Sequence, residues 1–123
     1  MAGPLLVAIV DASAEMHVAI ATVVGGQADL RIVEHARSLP ELWGTKPDAI
    51  DVVVADLRAC VGHPLALGEL RRQYPGLRVI ITSANDGAEY KEAIERLAAD
   101  GWVKTTELAD TLVSALRRLP RTP

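Results

Sequence analysis

The sequence predicts a three-layer α/β domain, a doubly wound (βα)5 chain with a five-stranded parallel sheet between helices. Three observations lead there. Apolar, largely β-branched runs at residues 5–10, 50–56 and 77–81 lack polar alternation, as strands buried on both faces do. Stretches with helical spacing of apolar residues separate the runs, and that alternation means parallel strands joined by right-handed crossovers. The runs also stop on polar groups, and chemistry in open α/β sheets gathers outside the carboxyl ends of strands. The clearest run is Ile-Asp-Val-Val-Val-Ala-Asp at 50–56, which closes on Asp56. That carboxylate suits a functional position, although strand-ending aspartates often simply start a turn.

Composition narrows the classes. At 123 residues the chain is one domain, long enough for a core without disulfides or a structural metal. Half of it is hydrophobic, with two Trp, two Tyr and no Phe, so Val, Leu, Ile and Ala must build the core. A net charge of −3 argues against direct nucleic-acid binding. The single Cys60 excludes an internal disulfide and fits a reducing compartment. No window reaches the length of a membrane span. Residues 5–10 lack a preceding basic region and make a poor signal peptide, so a cytoplasmic location is expected.

Taken in order, residues 5–10 form a first strand closing on Asp11. Ser13 then caps a helix with Glu15 in its first turn, Met16, Ile20 and Val23/Val24 facing the core, and Gly25-Gly26 ending it. Residues 29–36 make a weaker strand of mixed charge, as near a sheet edge. A helix of about one turn is expected around Pro40 to Trp43. After the central strand, residues 57–64 read as a loop, followed by a helix carrying Leu65, Leu67 and Leu70 with a basic end at Arg71-Arg72. Residues 77–81 form the fourth strand, ending on Thr82 and Ser83. The next helix starts at Asn85-Asp86 and turns Tyr90, Ile94 and Leu97 to one side. A very short fifth strand, Trp102-Val103, ends beside Lys104. The last helix buries Leu108, Leu112, Val113 and Leu116. The domain is expected to span residues 1–118, with 119–123 a tail or the start of a linker.

Two acids (Asp11, Asp56), a hydroxyl (Thr82 or Ser83) and an ammonium (Lys104) thus converge on one sheet edge. That set suits phosphoryl chemistry. Paired carboxylates can hold Mg²⁺, hydroxyl and ammonium can bind phosphoryl oxygens, and a carboxylate can become an aspartyl phosphate. Val-Asp at 10–11, Val-Val-Ala-Asp at 53–56, Val-Ile-Ile-Thr-Ser-Ala at 79–84 and Ala-Asp-Gly-Trp-Val-Lys at 99–104 resemble the receiver domain of bacterial two-component response regulators. The resemblance covers residues 4–118. It implies a flavodoxin-like fold with strand order 2-1-3-4-5, Asp56 as phosphoacceptor, Ser83 as switch hydroxyl, Trp102 as switch aromatic, Lys104 as phosphoryl-binding cation, and Asp11 with Asp56 as Mg²⁺ ligands.

The departures from that family matter as much. Receivers usually carry two adjacent acids after the first strand, and Ala12 stands in the second place, so Mg²⁺ binding is expected to be weak or absent. Cys60 stands where a proline is usual. Lys104-Thr105 replaces Lys-Pro, without the cis-proline device. Counted from Gly101, Lys104 arrives one residue early; either the strand is shorter and Lys104 is the match, or Thr105 takes the place and Lys104 faces the other way. Lys104 is the reading adopted. Arg58 could fold between Asp11 and Asp56 into the vacated metal site, or stay solvated at its mouth. His63 and Cys60 read as an exposed loop histidine and an inert thiol.

Three functions follow. The first is a receiver in a phosphorelay, non-enzymatic, taking phosphate from a sensor histidine kinase or phosphotransfer protein. Its output would pass to an effector through the fourth predicted helix, fifth strand and last helix. The second is a pseudo-receiver acting by phosphorylation-independent protein–protein contact. The third is a flavodoxin-like ligand-binding domain, opposed by the lack of a Gly-rich loop after the first strand. A homodimer through the last helices is a further arrangement the sequence allows.

Overall fold

The structure, a computed structural model, describes residues 3–120. Its strands are β1 (Leu5–Val10), β2 (Leu30–Ala36), β3 (Val52–Asp56), β4 (Arg78–Ser83) and β5 (Gly101–Lys104). Its α-helices are α1 (Ala14–Gly25), α2 (Leu39–Thr45), α3 (Leu57–Gly62), α4 (Pro64–Gln73), α5 (Ala88–Arg96) and α6 (Leu108–Arg118), with a 3₁₀ turn over Thr105–Glu107. The strands form one parallel sheet in the order β2-β1-β3-β4-β5, the flavodoxin-like topology the sequence predicts. No helix of the described residues is long and apolar enough to cross a membrane.

Alternation along the strands splits the core into two layers. Val7, Ile9, Val52, Val54, Ile80 and Val103 pack under α1 and α6, against Ile20, Val24, Leu112 and Leu116. Ala8, Val10, Val53, Ala55, Val79 and Ile81 face the other helices, meeting Leu42, Cys60, Leu67, Leu70 and Ile94. Because the central strands are covered on both faces, polar residues appear only at their ends. Those ends make the site.

Several elements differ from expectation, each for a local reason. Residues 57–64 are mostly helix, because the Asp56 side chain accepts the Arg58 N–H and caps α3, while Leu57 and Cys60 supply its buried face. Pro64 then opens α4 at a first-turn position. Leu65 is 84% exposed, and Leu67 and Leu70 carry the contact. The helix expected at 40–43 runs from Leu39 to Thr45, capped by Ser38, and ends with Lys46 left-handed at φ 45°. β4 extends through Ser83. α5 is capped by Gly87, not by Asn85 or Asp86, without a side-chain bond. Leu119, expected in the tail, is buried in the α1/α6 layer; residues 121–123 of that tail lie outside the described residues.

Candidate functional site

At the carboxyl edge of the sheet a pocket of about 530 Å³ is lined by Asp11, Asp56, Arg58, Ser83, Tyr90 and Thr105, among others. Asp11 follows β1 and is only 3% exposed. Its Oδ1 accepts the Ser13 N–H at 2.8 Å. Burial raises the Asp11 carboxyl above the ordinary value; the Ser13 bond pulls the other way, and the charge of Asp56 raises it again. Asp56 ends β3 and holds two roles at once. One of its oxygens, Oδ2, accepts both the Arg58 N–H at 3.2 Å and the Arg58 Nε–H at 3.1 Å.

Ser83 is buried, and its hydroxyl donates to the Asn85 carbonyl and accepts the Asn85 N–H, at 3.0 and 3.1 Å. Thr82 pairs with Asp56 in the ladder yet stays out of the pocket, its buried hydroxyl without a protein partner. Arg58 does not fold into the space between the two acids: its side chain is 90% exposed and reaches Asp56 from outside.

Lys104 does not join the cluster, contrary to the reading adopted from the sequence. It lies on the same side of β5 as Trp102, and its Nζ pairs with Asp86 before α5 at 3.0 Å. Thr105, the next residue, lines the pocket instead. Strand side chains alternate, so a one-residue offset carries the ammonium to another face. Lys104 and Trp102 line a separate pocket of about 600 Å³ with Asp86, Lys91 and Glu107. Trp102 packs against the Cys60 layer of the core, its buried indole N–H without a protein partner. Cys60 is fully buried, and desolvation, reinforced by Asp56, pushes its thiol up to about 12. His63 is exposed between α3 and α4.

The donor set fits a tight Mg²⁺ site poorly. The ion needs hard oxygen ligands. Ala12 supplies none, and the oxygen of Asp56 that caps α3 is already claimed by a guanidinium. Sequence reasoning missed Tyr90 and Asn85 as pocket residues. Helical spacing puts Tyr90 on one face with Ile94 and Leu97, and nothing in that periodicity separates packing a core from lining a cavity.

No family model and no curated protein matches the chain. Solved structures do. The receiver domain of the stress response regulator RcsB from Escherichia coli, non-phosphorylated, matches with TM-score 0.81 at 18% identity, over 94% of this chain and 92% of that one. The receiver domain of the putative response regulator NarL from Mycobacterium tuberculosis matches with TM-score 0.71 at 16% identity, over 96% and 100%. A longer RcsB chain from Salmonella typhimurium matches with TM-score 0.80 at 18% identity, over 99% of this chain, which spans 64% of that one. The fold is therefore that of response-regulator receiver domains.

Proposed function

We propose that the chain is a receiver-type signalling module whose phosphoacceptor site is incomplete, so that it acts chiefly by phosphorylation-independent protein contact. What supports this reading is that the residues beside Asp56 offer little to hold either usual counter-charge, a divalent cation or a lysine. Ala12 removes one acid of the metal site, and Thr105 occupies the place where Lys104 was expected. Forming an acyl phosphate brings negative charge up to carboxylates that already repel it. Such chemistry depends on positioned cations. Arg58 contributes one, but from an exposed position and toward one Asp56 oxygen. In this reading Mg²⁺ binds weakly, the chain is a binding module rather than an enzyme, and output runs through α5, β5 and α6 to an effector.

A second reading has support from Asp11, Asp56 and Ser83 lining one pocket. There, a sensor histidine kinase or phosphotransfer protein donates phosphate to Asp56, Ser83 is the switch hydroxyl and Trp102 the switch aromatic. The RcsB receiver from Salmonella enterica has been solved with the phosphomimetic BeF3⁻, which makes that anion the natural probe. The experiment is to titrate the chain with Mg²⁺ and BeF3⁻, following Trp102 fluorescence in a Trp43→Phe background, and to incubate it with acetyl phosphate. The first reading expects no saturable change and little or no phosphoprotein. Receiver-like phosphorylation abolished by Asp56→Asn would establish the second.

A further inference from the structure

Beside the acidic pocket, two histidines from different elements meet. His17 of α1 and His35 of β2 bring their Nδ1 atoms to 3.1 Å, their rings tilted by 46°. They line a pocket of about 320 Å³ with Ala14, Ala36, Arg37 and Glu41. His17 Nε2 lies 2.8 Å from the backbone carbonyl of Asp11. A carbonyl only accepts, so His17 carries its proton on Nε2 and turns a lone pair outward from Nδ1. That is how a metal-ligating imidazole is usually held, by a second-shell carbonyl on its other nitrogen. Without a metal, His35 therefore donates its Nδ1–H to His17 Nδ1; because His35 is exposed, its proton can move to Nε2, where water accepts it, and free Nδ1 for a metal.

We propose that His17 Nδ1 and His35 Nδ1 form a two-histidine site for a divalent transition metal of borderline softness, such as Zn²⁺. Imidazole favours these ions over Mg²⁺. With Zn–N distances of about 2.0–2.1 Å, nitrogens 3.1 Å apart subtend roughly 100° at the metal, close to tetrahedral. Among the described residues no group of three or more His, Cys, Asp and Glu side chains is placed to hold a metal, so water completes the coordination. Glu41 brings negative charge to the same pocket and Arg37 offsets it, keeping the site modest in affinity. The bound ion would clamp the start of α1 to the end of β2, next to the Asp11 backbone. The proposal is independent of whether Asp56 accepts phosphate.

The chain contains three histidines, which makes the test clean. Zn²⁺ is titrated into the whole chain by calorimetry, with Mg²⁺ as control, and long-range ¹H–¹⁵N spectra identify the coordinated ring nitrogens. One Zn²⁺ per chain is expected, on Nδ1 of His17 and His35. His17→Ala and His35→Ala should each weaken binding by at least about tenfold, no less than the loss of a second-shell partner, while His63→Ala leaves it unchanged. Since His17→Ala also removes the bond to Asp11, His35→Ala on the exposed side of β2 is the deciding variant, its fold checked by thermal melting in chelator. Equal Zn²⁺ affinity in wild type and His35→Ala, coordination at His63, or no binding by folded wild type would each overturn the proposal.

Discussion

Asp11 is a charge held where water is scarce, and its surroundings only partly relieve it. The Ser13 N–H favours the carboxylate, whereas burial and Asp56 disfavour it, and the net direction is a raised value. The folded state therefore binds this proton more tightly than the unfolded chain. The contribution of Asp11 to stability is full below the ordinary value of 3.8 and is lost as pH rises through the raised folded value. Asn at this position keeps an acceptor for the Ser13 N–H and carries no charge. Asp11→Asn should thus be neutral at the most acid pH where the fold survives, and stabilising at pH 7, as urea melts across a pH series would register. A variant equally or less stable than wild type at pH 7 would contradict this account. Cys60 poses the same burial problem for a thiol. With its value pushed to about 12, it should resist thiol-specific reagents at pH 8 in the native state and react at once in urea. Native-state labelling at the unfolded rate would show that the α3 region opens freely.

At the scale of elements, the two least legible parts of the chain are its shortest strand and its shortest α-helix. Strands such as β1 and β3 declare themselves through nearly uninterrupted burial, and with them the positions of Asp11 and Asp56. β5 has four residues, too few for periodicity to fix register, so the Lys104–Thr105 choice depended on a count that could slip by one. α3 has six residues and owes its start to the Asp56 cap, which sequence alone could equally assign to a loop. The placement of Lys104 and Thr105 yields a direct test. Lys104→Ala should leave beryllofluoride affinity unchanged, because Nζ pairs with Asp86 and Lys104 does not line the acidic pocket. Thr105→Lys should raise it by placing an ammonium in the pocket, and combining it with Ala12→Asp should raise Mg²⁺-dependent binding further. A loss of binding in Lys104→Ala would restore Lys104 to the site. Another element-level prediction concerns the end of α5, where Ala98 adopts φ 54° after the C-cap Leu97. The left-handed region costs an L-residue roughly 1–2 kcal/mol, part of which Gly returns as unfolded-state entropy. Ala98→Gly should therefore stabilise by about 0.5–1 kcal/mol in chemical denaturation. No gain would mean that the Arg71 bonds to the Leu97 and Ala98 carbonyls depend on the alanine.

Over the whole molecule, one sheet separates two apolar layers that share backbone but no side chains. Ile20 lies in the layer under α1 and α6, and Ile50, just before β3, lies in the layer under the remaining helices. Both are at least 95% buried, at 1% and 5% exposure, and with no Phe in the chain each layer depends on close packing of aliphatic groups. Removing one methylene from either should cost about 0.5–1.5 kcal/mol. If the sheet acts as a rigid partition, Ile20→Val and Ile50→Val are independent, and the double variant should lose the sum to within about 0.5 kcal/mol. The alternative is a sheet that transmits strain, in which a shift on one face repacks the other and the two changes couple. Under the proposed function that distinction bears on how a change at the acidic pocket, which Tyr90 of α5 lines, would reach the α5, β5 and α6 face. Equilibrium unfolding of wild type, both single variants and the double variant decides it. A coupling above about 1 kcal/mol would show that the two layers move together and that the sheet itself relays the change.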